Sequence, residues 1–275
     1  MNFMNRTNPI GIFDSGIGGL TVVKAVSKLL PNENIVYFGD TARVPYGSKS
    51  NETVVEYSIQ AANFLLRKNI KLLVVACNTA SSAALKDLRK FLTIPVIGMI
   101  EPGAKTALRE SKHGKVGVIG TRATINNKAY AHELKKLNPK VKVFEQACPL
   151  FVPIAEEGWL EHKVTELIAK EYLNELKNKK VDSLILGCTH YPILHNVIQK
   201  AVGKSVKLID SGTPAAKLVE EYLNARGLRN ISNQMGQSEF YVSDVPVTFK
   251  EIAQRFLGKK ITHLHKVELD ELVND

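Results

Sequence analysis

Leu72-Leu73-Val74-Val75-Ala76-Cys77-Asn78-Thr79 and Leu184-Ile185-Leu186-Gly187-Cys188-Thr189-His190 are two stretches of this chain built on one pattern. In each, an apolar run ends in a small residue, a cysteine and a polar pair. Such a run predicts a buried strand of a parallel sheet. Ligands bind at the carboxyl ends of these strands in open α/β sheets. We therefore expect two equivalent strands to bring two thiols to one place.

Other segments of the chain repeat at a similar spacing. Ile10–Ser15 resembles Val116–Thr121, and Ile35–Phe38 resembles Val141–Phe144, in both cases 106 residues apart. The two cysteines are 111 residues apart. A spacing that drifts by so little over three strands is what a duplicated domain with loop insertions gives. The sequence thus predicts two similar lobes.

Apolar strands alternate with amphipathic stretches, which is typical of parallel βαβ units and predicts an α/β fold with parallel sheets. Strands are predicted near residues 9–14, 34–39, 71–76, 94–99, 115–120, 141–145, 182–187 and 206–210, with helices over 53–68, 80–91 and 164–177.

Turn signals at Glu101-Pro102-Gly103 and Asp210-Ser211-Gly212-Thr213-Pro214 flank the second repeat. The chain is therefore expected to cross between lobes near these two points. Residues 1–100 and 211–275 would form the first lobe, and residues 101–210 the second.

The composition is that of a globular protein without a membrane segment. The 275 residues, 44% of them hydrophobic, suffice for two α/β domains. There is no apolar run of 18 residues, and Met1–Asn8 lacks the apolar core of a signal peptide. Three cysteines do not make a disulfide framework. We expect a cytoplasmic protein with free thiols.

The net charge of +10 raises the question of a nucleic-acid partner. The basic residues are scattered, however, and the short run at Lys177, Lys179 and Lys180 suits the end of a helix. Neither an aromatic stacking motif nor a nucleic-acid module accompanies the charge. No specific nucleic-acid partner is expected.

The cysteines allow several interpretations. Each alone resembles an ordinary buried cysteine, but the matched pair favours chemistry. A metal site would need more ligands, since only His190 is near either thiol in sequence. A disulfide oxidoreductase normally places both cysteines in one turn. Cys148, which is followed by proline rather than by polar residues, is interpreted as structural.

A glycine-rich loop, Asp14-Ser15-Gly16-Ile17-Gly18-Gly19, follows the first predicted strand. Its amides could hold an anion at a helix N-terminus. It lacks both the dinucleotide fingerprint and a Gly-Lys-Ser/Thr sequence, so a nucleotide is not favoured. Asp14 either caps the helix or acts on an ammonium or acid-base group nearby.

Four blocks of the chain resemble the signature blocks of bacterial glutamate racemases, over about residues 9–260. They are Gly11-Ile12-Phe13-Asp14-Ser15-Gly16-Ile17-Gly18-Gly19-Leu20, Gly39-Asp40-Thr41-Ala42-Arg43-Val44-Pro45-Tyr46-Gly47, Ala76-Cys77-Asn78-Thr79-Ala80 and Gly187-Cys188-Thr189-His190-Tyr191-Pro192. The Pro45-Tyr46-Gly47 sequence favours the glutamate enzymes over related aspartate and hydantoin racemases.

The resemblance implies two lobes with the active site in the cleft between them. Cys77 and Cys188 would face each other across the substrate Cα, with Asp14 beside the first thiol and Glu156 and His190 beside the second. Glu157, adjacent in sequence, is the alternative to Glu156. The implied substrate contacts are Asp14, Ser15, Tyr46, Gly47, Asn78, Thr79, Thr121, Thr189 and His190.

The implied activity is cofactor-independent and metal-independent racemisation of L- and D-glutamate, which supplies D-glutamate for peptidoglycan, the cell wall and cell shape. Two fixed thiols suit this reaction because a single base would have to swing across the substrate. Cysteine, with an ordinary pKa near 8.5, exists as thiol or thiolate near neutrality. Glutamate is the expected partner, and a homodimer is compatible with the chain. The alternatives are an aspartate-type racemase and a two-lobed binding protein, which would need neither thiol.

Overall fold

The computed structural model describes residues 5–273 and contains two sheets whose paired strands are all parallel. Residues 1–4 and 274–275 lie outside the described residues. The first four belong to the stretch considered for a signal peptide, and the last two belong to the predicted first lobe. The strands are β1 Ile10–Asp14, β2 Ile35–Gly39, β3 Leu72–Val75, β4 Val96–Gly98, β5 Lys115–Gly120, β6 Lys142–Ala147, β7 Ser183–Gly187, β8 Lys207–Asp210, β9 Ser238–Val242 and β10 Leu264–Lys266.

The two sheets share one topology. The first has the order β10-β9-β2-β1-β3-β4, and the second has the order β6-β5-β7-β8. Strands β1 to β4 and β5 to β8 are thus arranged alike, with the first of each set between the second and the third. This correspondence supports the duplication, and β9 and β10 extend only the first sheet. The predicted fold class is confirmed.

Helices cover the sheets, as expected for parallel strands joined by crossovers. They are α1 Leu20–Leu29, α2 Asn51–Leu66, α3 Asn78–Ala83, α4 Leu85–Phe91, α5 Ile100–Glu110, α6 Arg122–Asn126, α7 Ala129–Leu137, α8 Phe151–Glu156, α9 Lys163–Asn178, α10 His195–Val202, α11 Gly212–Ala225, α12 Phe249–Leu257 and α13 Asp270–Val273. Helix α1 packs against α11 and α12, α9 against α10, and α5 against α7. In the described part of the chain, no helix is both long and apolar enough to cross a membrane.

The eight predicted strands are present, but some other predictions need correction. The helix predicted over 80–91 begins earlier, at Asn78, and is interrupted at Ala84. The two segments predicted as turns, at 101–103 and 210–214, instead form the N-termini of helices α5 and α11. Pro102 lies in the first turn of α5, where its missing N–H costs nothing, and Asp210 Oδ1 accepts a hydrogen bond of 2.7 Å from Thr213 N at the start of α11.

The core fixes the ends of the strands. Strands β1, β2, β3, β4 and β7 are buried along their whole length. Apolar residues on one face of the first sheet belong to a cluster that continues into the second lobe. Close-packed interiors of this kind deform little. The loops that follow β1, β3, β5 and β7 are therefore presented from rigid supports.

Candidate active site

A cavity of about 280 Å³ lies at the carboxyl ends of the central strands of both sheets. Equivalent loops line it, with Ser15 after β1 matched by Thr121 after β5, and Cys77 after β3 matched by Cys188 after β7. The lining also contains the other predicted substrate-contact residues except Asp14. The complete set is Ser15, Gly16, Val44, Pro45, Tyr46, Gly47, Cys77, Asn78, Thr79, Thr121, Val152, Pro153, Glu156, Cys188, Thr189 and His190.

Cys77 caps the N-terminus of α3. Its Sγ accepts a hydrogen bond of 3.4 Å from Ala80 N and lies 3.4 Å from Ser15 Oγ. Burial, and then the negative charge of Asp14, raise the pKa of the Cys77 thiol to about 12, although the contacts with Ser15 and Ala80 oppose the rise. Cys77 is therefore a thiol at neutral pH.

Asp14 is fully buried behind the cavity wall. Its Oδ2 accepts a hydrogen bond of 3.0 Å from Gly16 N, and its Oδ1 lies 3.4 Å from the Thr189 hydroxyl, which donates. Burial raises the pKa of Asp14, while the charge of His190 and amide hydrogen bonds from Gly19 and Gly16 oppose this effect. The carboxyl group thus joins the glycine-rich loop to the loop that carries Cys188.

Glycine at position 18 allows the same two loops to approach each other. A Cβ atom on Gly18 would lie 2.4 Å from Thr189 Oγ1 and 2.4 Å from His190 Nδ1. Any other residue would displace these groups, because such distances are far below van der Waals contact.

His190 bridges a thiol and a carboxylate. Its Nδ1 lies 3.8 Å from Cys188 Sγ, and its Nε2 lies 2.9 Å from Glu156 Oε1. Burial by itself lowers the pKa of His190, but the hydrogen bonds to Cys188 and Glu156 outweigh burial and raise the pKa to about 10. An imidazolium at neutral pH would favour a thiolate beside it. The neighbouring residue Glu157 is not part of the cavity lining.

Asn78 is oriented from behind the cavity. The Tyr130 hydroxyl donates a hydrogen bond of 2.6 Å to Asn78 Oδ1, and Asn78 Nδ2 donates one of 3.3 Å to Ser211 Oγ. Since its oxygen is occupied, Asn78 presents its remaining N–H as a donor. Thr79 Oγ1 lies 2.9 Å from Thr121 Oγ1, so hydroxyl groups of both lobes meet at the cavity wall.

Tyr46 is held by an acidic residue outside the cavity. Its hydroxyl donates a hydrogen bond of 2.5 Å to Asp40 Oδ2, which also accepts one of 2.7 Å from Arg43 Nε. Ser243, after β9, donates one of 2.8 Å to Asp40 Oδ1. Because its hydroxyl is occupied, Tyr46 offers the cavity its ring and backbone.

Sequence reasoning missed the residues that support the site and part of its apolar lining. Val152 and Pro153 line the cavity without a distinguishing pattern, and Val44 and Pro45 line it although their signature block did not mark them as substrate contacts. Tyr130, an isolated aromatic residue in a helix, carries no local signal either. As for a metal, no group of three His, Cys, Asp or Glu side chains suited to hold one occurs among residues 5–273.

Comparison with known proteins shows the family to which the chain belongs. The family model described as Asp/Glu/Hydantoin racemase matches residues 19–219. A glutamate racemase from Geobacter metallireducens is 52% identical over 261 residues, covering 95% of this chain and 97% of that protein. The crystal structure of glutamate racemase from Francisella tularensis in complex with D-glutamate is 43% identical with a TM-score of 0.91, covering 96% of this chain and 99% of that chain.

A more distant solved structure, the aspartate racemase of Picrophilus torridus, is 21% identical with a TM-score of 0.53 and covers 80% of this chain and 94% of that one. This likeness extends to the fold alone. The chain belongs to the Asp/Glu/hydantoin racemase family and, within it, to the glutamate racemases.

Proposed function

We propose that this enzyme interconverts L- and D-glutamate without a cofactor, by means of two fixed thiols, Cys77 and Cys188, of which one removes the Cα proton and the other adds a proton to the opposite face. The observation that carries the proposal is that two buried cysteines at equivalent strand ends line one cavity of about 280 Å³. A planar intermediate between two such groups can lose a proton on one face and gain one on the other.

Substrate binding relies on neutral donors. Among the described residues, the cavity lining contains neither lysine nor arginine. The side chains of Asn78, Thr79, Thr121 and Thr189, with the amides at strand ends, hold the substrate carboxylates. Donors fixed in place before reaction also stabilise the negative charge that develops at Cα.

In the proposed step, a thiolate removes the Cα proton and the C–H electron pair passes into a carbanion-like state. The opposite thiol then delivers its proton, and that electron pair forms the new C–H bond. Cys77 is poised as the proton donor, since its pKa is raised to about 12. Cys188, beside His190, is the first base, and one turnover interchanges the two protonation states.

The two lobes proposed to surround the site comprise residues 1–100 with 211–275, and residues 101–210, so that each lobe supplies one thiol. Of the described residues, α5 packs against α7 and β7 of the second lobe, and α11 packs against α1 of the first, which supports these boundaries. We place the enzyme in the cytoplasm, where its three free cysteines stay reduced, and assign it to the supply of D-glutamate for peptidoglycan.

The activity is tested by following the circular dichroism of L-glutamate incubated with the protein and no added cofactor. The signal should decay to zero, and D-glutamate should approach the same end point from the opposite sign. A decay with L-aspartate but not with glutamate would indicate the aspartate-type enzyme. Binding without any decay would indicate a two-lobed binding protein.

The roles of the thiols are tested by substitution. Cys77→Ala and Cys188→Ala should each lower kcat/KM by about 10³-fold or more, since each removes one of two groups that do not replace each other. Cys148→Ala is the matched control, because Cys148 is buried but does not line the cavity. Near wild-type turnover in either of the first two variants would refute the two-base mechanism.

A further inference from the structure

Helix α12, which sequence reasoning did not predict, touches both members of the Glu156–His190 pair through adjacent residues. Arg255 reaches the backbone of Glu156, and Phe256 packs against the ring of His190. Neither residue lines the cavity. Their contacts nevertheless end on the Glu156 backbone and on the His190 imidazole, the pair beside Cys188.

Arg255 caps the short helix that carries Glu156. Its Nη1 donates a hydrogen bond of 2.8 Å to the Glu156 carbonyl and one of 3.4 Å to the Ala155 carbonyl. Carbonyls at a helix C-terminus lack partners within the helix, and a cation there also interacts well with the helix dipole. Helix α8 has only six residues and no side-chain cap at its N-terminus. Arg255 is therefore a main restraint on the end that bears Glu156.

Gly158 makes room for this guanidinium group. Its φ of +75° lies in the left-handed region, and a Cβ atom there would lie 2.6 Å from Arg255 Nη2. Gly158 N also donates a hydrogen bond of 3.2 Å to Ala155 O, which closes the end of the helix. The turn after α8 is thus shaped to receive the side chain.

Phe256 fixes the other member of the pair. It is 1% exposed, and its ring meets the His190 ring edge to face, with centroids 5.1 Å apart and an interplanar angle of 75°. This packing holds the imidazole in the plane that directs Nδ1 to Cys188 and Nε2 to Glu156. Edge-to-face packing is a preferred aromatic arrangement.

We propose that Arg255 and Phe256 are positioning residues that hold Glu156 and His190 in register with Cys188. The catalytic consequence rests on the proposed function, whereas the positioning itself does not. Because α12 follows β9 in the chain, the carboxy-terminal part of the first lobe would then set the geometry of an acid-base pair in the second.

The protonation of His190 distinguishes positioning from other roles. The charged or titratable groups that face it are Cys188 on its own loop, Asp14 from β1 and Glu156 from α8, with Arg255 of α12 behind Glu156. If Arg255 holds Glu156 in place, removing Arg255 releases the carboxylate and lowers the pKa of His190. If Arg255 acts only as a nearby positive charge, its removal raises that pKa.

The experiment is a pH titration of the His190 ring by ¹⁵N NMR, with the signal assigned through His190→Asn. Arg255→Met should lower the pKa of His190 by about one unit or more, since losing a paired carboxylate typically shifts a pKa by 1–3 units. Arg255→Lys, which retains a donor for the carbonyls, should recover part of the shift. Arg109→Met, on the exposed surface of α5, is the matched control and should change nothing.

A double variant tests whether Arg255 acts through Glu156. Adding Arg255→Met to Glu156→Gln should cause no further shift beyond that of Glu156→Gln alone. An unchanged or raised pKa of His190 in folded Arg255→Met, with folding checked by thermal unfolding, would overturn the proposal. If the NMR shifts occur but the wild-type protein does not racemise glutamate, the proposed function fails while the positioning role stands.

Discussion

Cys77 and Cys188 follow equivalent strands, yet their sulfur atoms meet different charges. Cys77 is close to the buried carboxyl group of Asp14, whereas Cys188 is close to the imidazole of His190. A negative neighbour favours the thiol and a positive neighbour favours the thiolate. The two sulfur atoms of this matched pair therefore have opposite electrostatic surroundings.

The raised pKa of Cys77 predicts slow alkylation of the free enzyme. Only thiolates react, so the rate of iodoacetamide labelling at Cys77 should rise about tenfold per pH unit from pH 7 to 10. Mass spectrometry of the labelled peptide measures this rate, and L-glutamate should protect the thiol. A rate that levels off below pH 9 would contradict a pKa of about 12.

His190→Asn should weaken catalysis equally in both directions. The enantiomers have equal free energies, so kcat/KM must fall by the same factor for L- and D-glutamate, about 10²-fold if an acid-base partner is lost. The individual kcat and KM values, and the isotope effects of α-deuterated substrates, are free to differ between directions. Efficiencies and isotope effects identical to those of the wild type would assign His190 a structural role.

At the scale of single residues, the sequence was most informative where a pattern occurs twice. The matched strand ends placed Cys77 and Cys188 together, and both line the cavity. Glu156 followed only from resemblance, and the pattern around Asp14 left two roles open, because the contacts of Glu156 with His190 and of Asp14 with Thr189 join segments far apart in the chain. No sequence pattern indicated the supporting roles of Tyr130 and Arg255, because a single side chain in an amphipathic helix has the same sequence context with or without a distant partner.

At the scale of elements, helix α7 of the second lobe orients the loop after β3 of the first. The ring of Tyr130 fits against two glycines, as Cβ atoms on Gly103 or Gly187 would lie 3.2 Å from it. This fit places the Tyr130 hydroxyl within hydrogen-bonding distance of Asn78 Oδ1. Tyr130, which does not line the cavity, thereby determines which amide atom of Asn78 contacts the substrate.

Tyr130→Phe should therefore raise the KM for glutamate about five- to tenfold, with a smaller effect on kcat. The reason is that one hydrogen bond that fixes the amide, worth about 1 kcal/mol, is lost. Steady-state kinetics measure both constants, and Tyr222→Phe on α11 is the control. If kcat falls while KM is unchanged, Asn78 acts on the transition state rather than in binding.

Strands were easier to predict than the elements that complete the first lobe. The central strands are continuous apolar runs because both faces are buried. Strand β9 is intermediate at Ser238 and exposed at Glu239, and β10 is a three-residue strand with two exposed residues. Strand β9 pairs with β2 at Ile35–Gly39 and β10 pairs with β9, so tertiary contact rather than a local pattern determines them.

At the scale of the whole molecule, a buried ion pair ties distant segments together at the amino ends of the strands, opposite the cavity. Lys71 Nζ donates hydrogen bonds of 2.5 Å to Glu33 Oε2, 2.6 Å to Arg6 O and 2.9 Å to Leu228 O. Glu33 Oε1 accepts one of 2.8 Å from Asn230 N. The pair thus fixes the segment that returns from α11 towards β9.

Lys71→Met should lower the free energy of unfolding by about 3–5 kcal/mol, because it leaves the buried Glu33 carboxylate without its partner. Urea unfolding measures the loss, with the exposed Lys170→Met as control. The kcat/KM of the folded fraction should stay close to that of the wild type, since the pair lies at the opposite ends of the strands from the thiols. A large loss of activity without loss of stability would show coupling between the two ends.

Each thiol follows a strand of a different sheet and both line one cavity, and in the proposed mechanism they act as two separate bases. Racemisation of L-glutamate in ²H₂O, stopped at early times and analysed by mass spectrometry of the separated enantiomers, distinguishes two bases from a single one. Because the opposite thiol delivers a solvent-derived proton, the D-glutamate formed should carry deuterium at Cα while the remaining L-glutamate keeps its protium. Protium retained in the product, or deuterium appearing equally in both enantiomers, would contradict the two-base account.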